Sequence, residues 1–202
     1  MIALASRILA AVRVAVDLAA AYSIACPDRT VRLDATTCID RLPWPNDDDE
    51  IPLLGVSGVR EHYLEDDGLD WDAVTLCAEA GKRLCTADEW RRACLGTPPW
   101  PECPAVATWL PVDWPRVMRR DGDELARLDQ HSDPSEYPDC RSSVGAMLMG
   151  DLEEWVMTPR GPRLTLGFWS RPARCGAVNW THRENWHDYA SAVRCCHDLR
   201  LP

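Results

Sequence analysis

Residues 77–96, CAEAGKRLCTADEWRRACLG, decide the fold, because they specify two short helices and the turn between them. The side chain of Asp70 can accept hydrogen bonds from a first helical turn, and Gly81 tolerates a left-handed backbone. The first helix is therefore predicted to begin after Asp70 and to end at Gly81. The second begins with a capping box, in which the side chains of Thr86 and Glu89 each bond the other residue's backbone amide. Local chemistry thus delimits both helices.

The same stretch resembles a segment of a known family. It is similar to the AGKRLPTEAEW segment of the formylglycine-generating enzyme family, also called the sulfatase-modifying-factor domain. Further matches follow in the family's order: CIDRLPWPN at 38–46, LDWDAVTLC at 69–77, MGDLEEWV at 149–156, LGFWSRPARC at 166–175 and AVRCC at 192–196. The resemblance implies an α+β fold of the irregular C-type-lectin-like kind, with two helices packed on short twisted antiparallel strands, many loops and several disulfides.

The chain divides into an N-terminal segment, residues 1–25, and one sulfatase-modifying-factor-like domain, residues 26–202. The segment is apolar and lacks Gly and Pro, so we predict a helix. Arg7, Arg13 and Asp17 interrupt the roughly 20 mainly apolar residues that a membrane span needs. Three alternatives stay open: an export signal, a membrane anchor, or a helix that packs on the domain or on a partner in a larger complex.

The composition limits which classes of partner the chain can bind and which cellular compartment suits it. A formal charge of −10 disfavours nucleic acid as the main partner, because that binding depends on clustered Lys and Arg. Ten Trp accompany a single Phe, and most of the ten are expected to be structural. Ten cysteines without a CxxC pair for zinc indicate a closed set of disulfides. Disulfides favour an extracytoplasmic location, in the periplasm, the cell envelope or the medium.

The resemblance also implies a disulfide pattern. Family members link the cysteine of the first helix to the closing strand, and the cysteine of the second helix to the residue after an arginine-rich loop. Carried over, this implies Cys77–Cys195 and Cys94–Cys175. For the remaining six cysteines, whose pairing stays open, we adopt one assignment: Cys26–Cys38, Cys85–Cys196 and Cys103–Cys140.

The copper site of the family has no match in this sequence. Members that oxidise a substrate cysteine to formylglycine hold copper between two thiolates in a loop before the structural cysteine that matches Cys175. Soft thiolates are the ligands that Cu(I) requires. The matching positions here are Thr165 and Ser170, which carry no thiol. We therefore assign no catalytic residue, expect neither copper nor an enzyme, and expect Cys175 to be oxidised.

Iron is the second metal that the resemblance raises, since another branch of the family uses nonhaem iron. His182 and His187, with Glu184 or Asp188, could form a triad of two histidines and a carboxylate, and His131 lies elsewhere. At this spacing the histidines do not share a helix face and point opposite ways on a strand. Surface or hydrogen-bonded histidines are therefore favoured over an iron site.

Calcium is the third metal. In the family, the strand resembling GNVWEW gives a carboxylate and backbone carbonyls to a structural Ca²⁺, which prefers hard oxygen ligands. Glu154 matches the carboxylate, and Gly150 and Leu152 match the carbonyl donors. Met147 replaces an expected Asn and is a poor calcium ligand, so these residues are weak candidates for a calcium site.

A binding surface is the last candidate. Seven aromatic and basic residues crowd into residues 169–186, near the family's substrate groove: Trp169, Arg171, Arg174, Trp180, His182, Arg183 and Trp186. Arginine and tryptophan together suit a protein or carbohydrate ligand, through forked hydrogen bonds and stacking. The alternative is that Trp169 and Trp180 belong to the core and that the arginines pair with acidic neighbours.

Our leading hypothesis is a noncatalytic binding or structural module on the scaffold of this enzyme family, exported and held by disulfides. One alternative is a metal-dependent oxidoreductase of the same family. Another is a lectin-like receptor-binding protein of phage type, which would require variable codons near residues 166–194.

Overall fold

The computed structural model describes residues 25–48, 50, 52–53, 55–59, 72–97, 139–147, 152–165, 175–187 and 191–199. Within these ranges the chain is α+β, as predicted, with two helices and two four-stranded sheets. The elements in chain order are β1 (Thr30–Arg32), β2 (Thr37–Asp40), α1 (Ala73–Glu79), β3 (Arg83–Leu84), α2 (Ala87–Cys94), β4 (Glu153–Thr158), β5 (Gly161–Thr165), β6 (Val178–Asn179), β7 (Ser191–Val193) and β8 (Cys195–Asp198). The predicted N-terminal helix falls on residues 1–25, of which only Ala25 lies among the described residues.

Helix α1 has a different N-cap from the predicted one. The cap is Asp72 and not Asp70: its carboxylate accepts hydrogen bonds from the Thr75 amide at 2.9 Å and the Thr75 hydroxyl at 2.7 Å. A backbone bridge between Ser57 and Asp72 accompanies the extended conformation that an N-cap requires. The helix ends as predicted, since Gly81 is left-handed with φ of +69°.

Helix α2 begins with the predicted capping box. The Thr86 hydroxyl accepts from the Glu89 amide at 3.2 Å, and the Glu89 carboxylate accepts from the Thr86 amide at 2.8 Å. Arg83 donates both guanidinium ends to the same carboxylate, at 2.7 and 2.8 Å. Burial by itself raises the pKa of Glu89, but the hydrogen bonds from Arg83 and Thr86 hold it below its usual value. One carboxylate therefore fixes the start of α2 and binds the first residue of β3.

The two sheets meet at the C-terminal segment. The first sheet has the order β1-β2-β8-β3 with antiparallel neighbours. The second has the order β6-β5-β4-β7, in which β4 and β7 are parallel and the other pairs antiparallel. Strand β7 lies in the second sheet and β8 in the first, and Arg194 alone separates them. Residues 191–198 therefore join the two sheets.

Strand β4 separates two hydrophobic clusters. Successive side chains of a strand point to opposite faces. Trp155 accordingly packs with Leu76 of α1 in one cluster, and Val156 packs with Trp90 of α2 in the other. Trp90 and Trp155 are almost wholly buried, so these two tryptophans are structural.

The same alternation explains the adjacent cysteines of β8. Cys195 and Cys196 point to opposite faces of the strand, belong to different clusters and form different bridges. The described residues contain four complete disulfides, each assigned in the sequence analysis: Cys26–Cys38, Cys77–Cys195, Cys85–Cys196 and Cys94–Cys175. Cys140 is also disulfide-bonded, and its assigned partner Cys103 lies outside the described residues. Such bridges are typical of proteins in an oxidising, extracytoplasmic compartment.

Arg194 occupies the centre of the junction between the sheets and is 0 % exposed. Its guanidinium has five N–H groups, and all five are used. Two donate to the Glu154 carboxylate at 2.8 and 2.9 Å. The other three donate to backbone carbonyls, those of Asp40 at 3.0 Å, Arg41 at 2.8 Å and Met147 at 2.8 Å. The charge is thus paired and fully hydrogen-bonded, as a buried charge must be to be tolerated.

Asp40 is a second buried carboxylate beside this arginine. It accepts hydrogen bonds from the Lys82 ammonium at 2.5 Å, the Asn46 amide group at 3.1 Å and the Cys195 backbone amide at 3.2 Å. Burial raises the pKa of Asp40 above its usual value, although Lys82 and the Cys195 amide oppose the rise. These contacts connect β2 to β8 and to the turn before β3.

Candidate binding surface

Residues 180–187 form a loop after β6 that we call the aromatic loop, since it carries Trp180, His182 and Trp186. The Asn179 side chain begins it by accepting hydrogen bonds from the Thr181 amide at 3.0 Å and the Thr181 hydroxyl at 2.6 Å. Asparagine side chains commonly close such local turns.

The aromatic loop rests on the core through its backbone. The Glu184 carbonyl accepts from the Val59 amide at 2.9 Å. Gly58 is required beneath it, because a Cβ there would lie 2.6 Å from both the Glu184 carbonyl oxygen and the Trp155 ring. Trp155 is itself fixed, since its indole N–H donates to the Val56 carbonyl at 2.6 Å. The loop backbone is therefore hydrogen-bonded to residue 59 and packed closely over Gly58 and the buried Trp155.

Two tryptophans of the loop face solvent. Trp180 is 55 % exposed and Trp186 is 42 % exposed. The guanidinium carbon of Arg160, in the turn between β4 and β5, lies 5.5 Å from the centroid of the Trp180 ring, within reach of a cation–π interaction. The His182 and Trp186 rings are stacked, with centroids 4.2 Å apart and planes inclined by 19°. Each exposed indole thus has a neighbouring side chain that orients it.

The surface around these indoles is basic. Arg160 and Arg183 are exposed, and among the described residues no carboxylate pairs with either. Arg163 lies 3.7 Å from the Glu184 carboxylate. Within the described ranges, three arginines therefore accompany one glutamate here, in a chain whose formal charge is −10. We call the set Arg160, Trp180, His182, Arg183 and Trp186 the basic-aromatic surface.

Four of the seven residues predicted for a binding surface lie in the aromatic loop: Trp180, His182, Arg183 and Trp186. The other three, Trp169, Arg171 and Arg174, lie outside the described residues. The idea that Trp180 belongs to the core is wrong, since more than half of it is exposed. Arg160 was missed, because only the pairing of β5 with β4 and β6 brings its turn beside Trp180.

The predicted calcium ligand Glu154 has another role in the structure. Its carboxylate is 0 % exposed and accepts from Arg194, and from the Trp90 indole N–H at 2.8 Å. A guanidinium supplies the positive charge that this carboxylate would otherwise take from a metal ion. Glu154 thus forms a buried structural ion pair, and a calcium site at this residue stays a prediction. Leu152 is 1 % exposed, and Gly150 lies outside the described residues.

The residues considered for iron and copper have the following places in the structure: Thr165, at one copper-matching position, is buried, and the structural cysteine Cys175 is oxidised as expected. The His182 ring stacks on Trp186, and the Glu184 carboxylate faces Arg163. Cys175 is in a disulfide with Cys94. His131, Asp188 and Ser170 lie outside the described residues, and within the described ranges no three His, Cys, Asp or Glu side chains form a group that could hold a metal ion.

A small cleft lies beside the Cys94–Cys175 bridge, between the start of α2 and the residues before β6. Its volume is about 160 Å³, below the several hundred Å³ of typical small-molecule sites. Asp88 and Arg91 on its wall form an ion pair of 3.8 Å with each other. The cleft therefore offers little room and few uncommitted charges.

Comparison with known protein families, curated proteins and solved structures finds no match for this chain. In the part of the chain that the structure describes, no helix is long and apolar enough to cross a membrane.

Proposed function

We propose that the chain is a noncatalytic binding module, exported to the periplasm, cell envelope or medium, on a C-type-lectin-like scaffold of the formylglycine-generating-enzyme kind. One observation carries the proposal: Trp180 and Trp186, 55 and 42 % exposed, lie on a loop whose backbone is hydrogen-bonded to Val59. Arg160 from a neighbouring turn lies over the Trp180 ring. Exposing indoles to water is unfavourable, and clustered exposed aromatic residues mark interaction sites more often than general surface.

The disulfides and the buried ion pair stabilise the scaffold that carries the aromatic loop. Cys175 and the two cysteines of β8 are held in disulfides, and the charges of Arg194 and Glu154 neutralise each other inside the core. These groups stabilise the fold and are not available as nucleophiles or metal ligands. A binding role therefore needs only the surface residues, while the buried polar groups keep the loop in place.

A retention experiment tests the proposal without assuming a ligand class. The immobilised full chain is exposed to medium and envelope extract from its source cells, and the retained material is analysed for protein and sugar. Wild type is compared with Trp180→Ala/Trp186→Ala and with Leu95→Ala, which removes an apolar side chain that is 50 % exposed on α2's C-cap. We expect material retained by wild type and the control but lost from the double variant. Equal retention by all three would contradict the proposal.

A second measurement separates the module from an enzyme. Protein purified without oxygen is assayed for bound copper and iron, and for oxygen uptake when a thiol peptide is added. Stoichiometric metal together with oxygen uptake would overturn the binding-module proposal in favour of a metal-dependent oxidoreductase.

A further inference from the structure

The basic-aromatic surface combines flat apolar rings with cationic forks, and this combination narrows the ligand class. An indole presents a broad apolar face at the cost of only two side-chain torsions. The faces of pyranose sugars are flat and carry C–H groups, so they stack on such rings. Trp180 is oriented by Arg160, and Trp186 by His182, which reduces the entropy lost when a sugar ring stacks on either.

The charges select an anionic ligand. Arg160 and Arg183 are exposed, and no carboxylate pairs with them among the described residues. A guanidinium binds carboxylate or sulfate groups through two parallel hydrogen bonds. Because the chain as a whole is strongly acidic, this local basic surface also sets the orientation in which an anionic polymer approaches.

An acidic peptide suits the basic-aromatic surface less well than an acidic polysaccharide does. Extended peptides commonly bind by adding a strand to an exposed sheet edge, where backbone hydrogen bonds give most of the affinity. The edge strand nearest the aromatic loop, β6, has 2 residues, and β7 at the opposite edge has 3. Edges this short offer few backbone groups, so recognition has to come from the side chains of the surface.

We propose that the basic-aromatic surface binds an acidic polysaccharide, with Trp180 and Trp186 stacking on sugar rings and Arg160 and Arg183 binding their carboxylate or sulfate groups. This inference rests on the proposed binding function and names the ligand of the same surface.

The test uses two pairs of polymers that differ in charge: polygalacturonate against its methyl-esterified form, and dextran sulfate against dextran. Affinity electrophoresis of the full chain gives a dissociation constant for each. We expect binding to at least one acidic member and about tenfold weaker binding to its neutral partner. Trp180→Ala and Arg183→Gln are each expected to weaken binding about tenfold, a typical effect of losing one central contact. Binding is also expected to weaken as salt rises from 50 to 300 mM, because salt screens exposed charges.

Matched controls separate this inference from general attraction to anions. Arg92→Gln removes an equal charge from α2, where Arg92 pairs with Asp34, and it should leave polysaccharide binding unchanged. Poly-L-glutamate and oligothymidylate should bind at least tenfold more weakly than the acidic polysaccharide. Equal binding of either polymer, or an effect of Arg92→Gln as large as that of Arg183→Gln, would overturn the inference.

Failure of this inference is distinguishable from failure of the proposed function. If none of the polysaccharides binds, but the retention experiment recovers a protein that Trp180→Ala/Trp186→Ala loses, the ligand class is wrong and the binding module stands. If wild type and the double variant retain the same material and no polysaccharide binds, both proposals fail.

Discussion

The bridges Cys77–Cys195 and Cys85–Cys196 close nearly the same loop, so their contributions to stability should be coupled. Their sequence separations are 118 and 111 residues. The Cys94–Cys175 bridge lies inside both loops and shortens each to roughly 30 to 40 residues, so in the chain-entropy model a single bridge contributes about 4 kcal/mol. Once one bridge is present, the second closes only about nine further residues, because the paired cysteines are close in sequence at both ends, and it contributes about 2.5 kcal/mol.

The expected double-mutant cycle follows from these values. Removing either bridge alone, by Cys77→Ala/Cys195→Ala or by Cys85→Ala/Cys196→Ala, should cost about 2.5 kcal/mol in loop entropy. Removing both should cost about 6.5 kcal/mol, which leaves a coupling of about 1.5 kcal/mol. The cavities left by the removed sulfurs should add independently, because the bridges lie in different hydrophobic clusters.

The assay is urea unfolding of the oxidised full chain, with the same concentration of a stabilising osmolyte in every sample so that the variant without both bridges stays folded. The control cycle combines Cys77→Ala/Cys195→Ala with Cys26→Ala/Cys38→Ala. The Cys26–Cys38 loop spans 12 residues and lies outside the larger one, so the coupling there should be near zero. A coupling below about 0.5 kcal/mol in the main cycle would refute the entropic reasoning and assign the stabilisation to native packing.

Three further predictions concern the core and the support of the aromatic loop. Arg194→Met should cost about 3–5 kcal/mol in urea unfolding, because it leaves a buried carboxylate without its cation; a cost below about 1 kcal/mol would contradict the role of the ion pair. Arg83→Gln should destabilise at neutral pH, and the difference from wild type should narrow below about pH 4. Arg83 pairs with the carboxylates of Glu89 and Asp198, and the pKa of each is lowered in the folded protein. The stability that these pairs contribute is therefore present at higher pH and is lost as pH falls through the lowered pKa. A difference in stability that does not change with pH would contradict this. Gly58→Ala should cost about 1–3 kcal/mol by overpacking, whereas Gly176→Ala, with nothing within 4 Å of the new methyl group, should change thermal stability little; equal losses would be inconsistent with the close approach.

Helix ends that depend only on residues within one turn could be predicted from the sequence. An end that depends on a contact with a distant residue could not. The capping box of Thr86 and Glu89 needs only residues within one helical turn, and it was predicted correctly. The start of α1 was not, since both Asp70 and Asp72 satisfy the rule for an N-cap. The bridge from Ser57 marks Asp72 as the one used, and no local pattern announces that bridge.

The candidate site shows a similar division. Clustering of Trp and Arg along the sequence led to the prediction of a binding surface that includes Trp180 and Trp186, whereas Arg160 lies beside Trp180 from another turn of the sheet. The role of Glu154 could not be predicted from residue type, because a buried carboxylate satisfies either a metal ion or a guanidinium. The parallel pairing of β7 with β4 brings Arg194, the residue after β7, to this carboxylate.

The position of residues 191–198 has a consequence for when this protein can fold. Strands β2 and β3 pair with β8 and not with each other, and β7 completes the second sheet. Strand β8, which lies inside the first sheet, is therefore synthesised after every other described strand, so the emerging chain cannot complete its core contacts until residues 191–198 are made. Contacts of such long sequence separation slow folding and leave apolar surface exposed while the chain waits. A chain of this topology favours folding after synthesis, which suits passage across a membrane in the unfolded state followed by oxidation of its thiols on the other side.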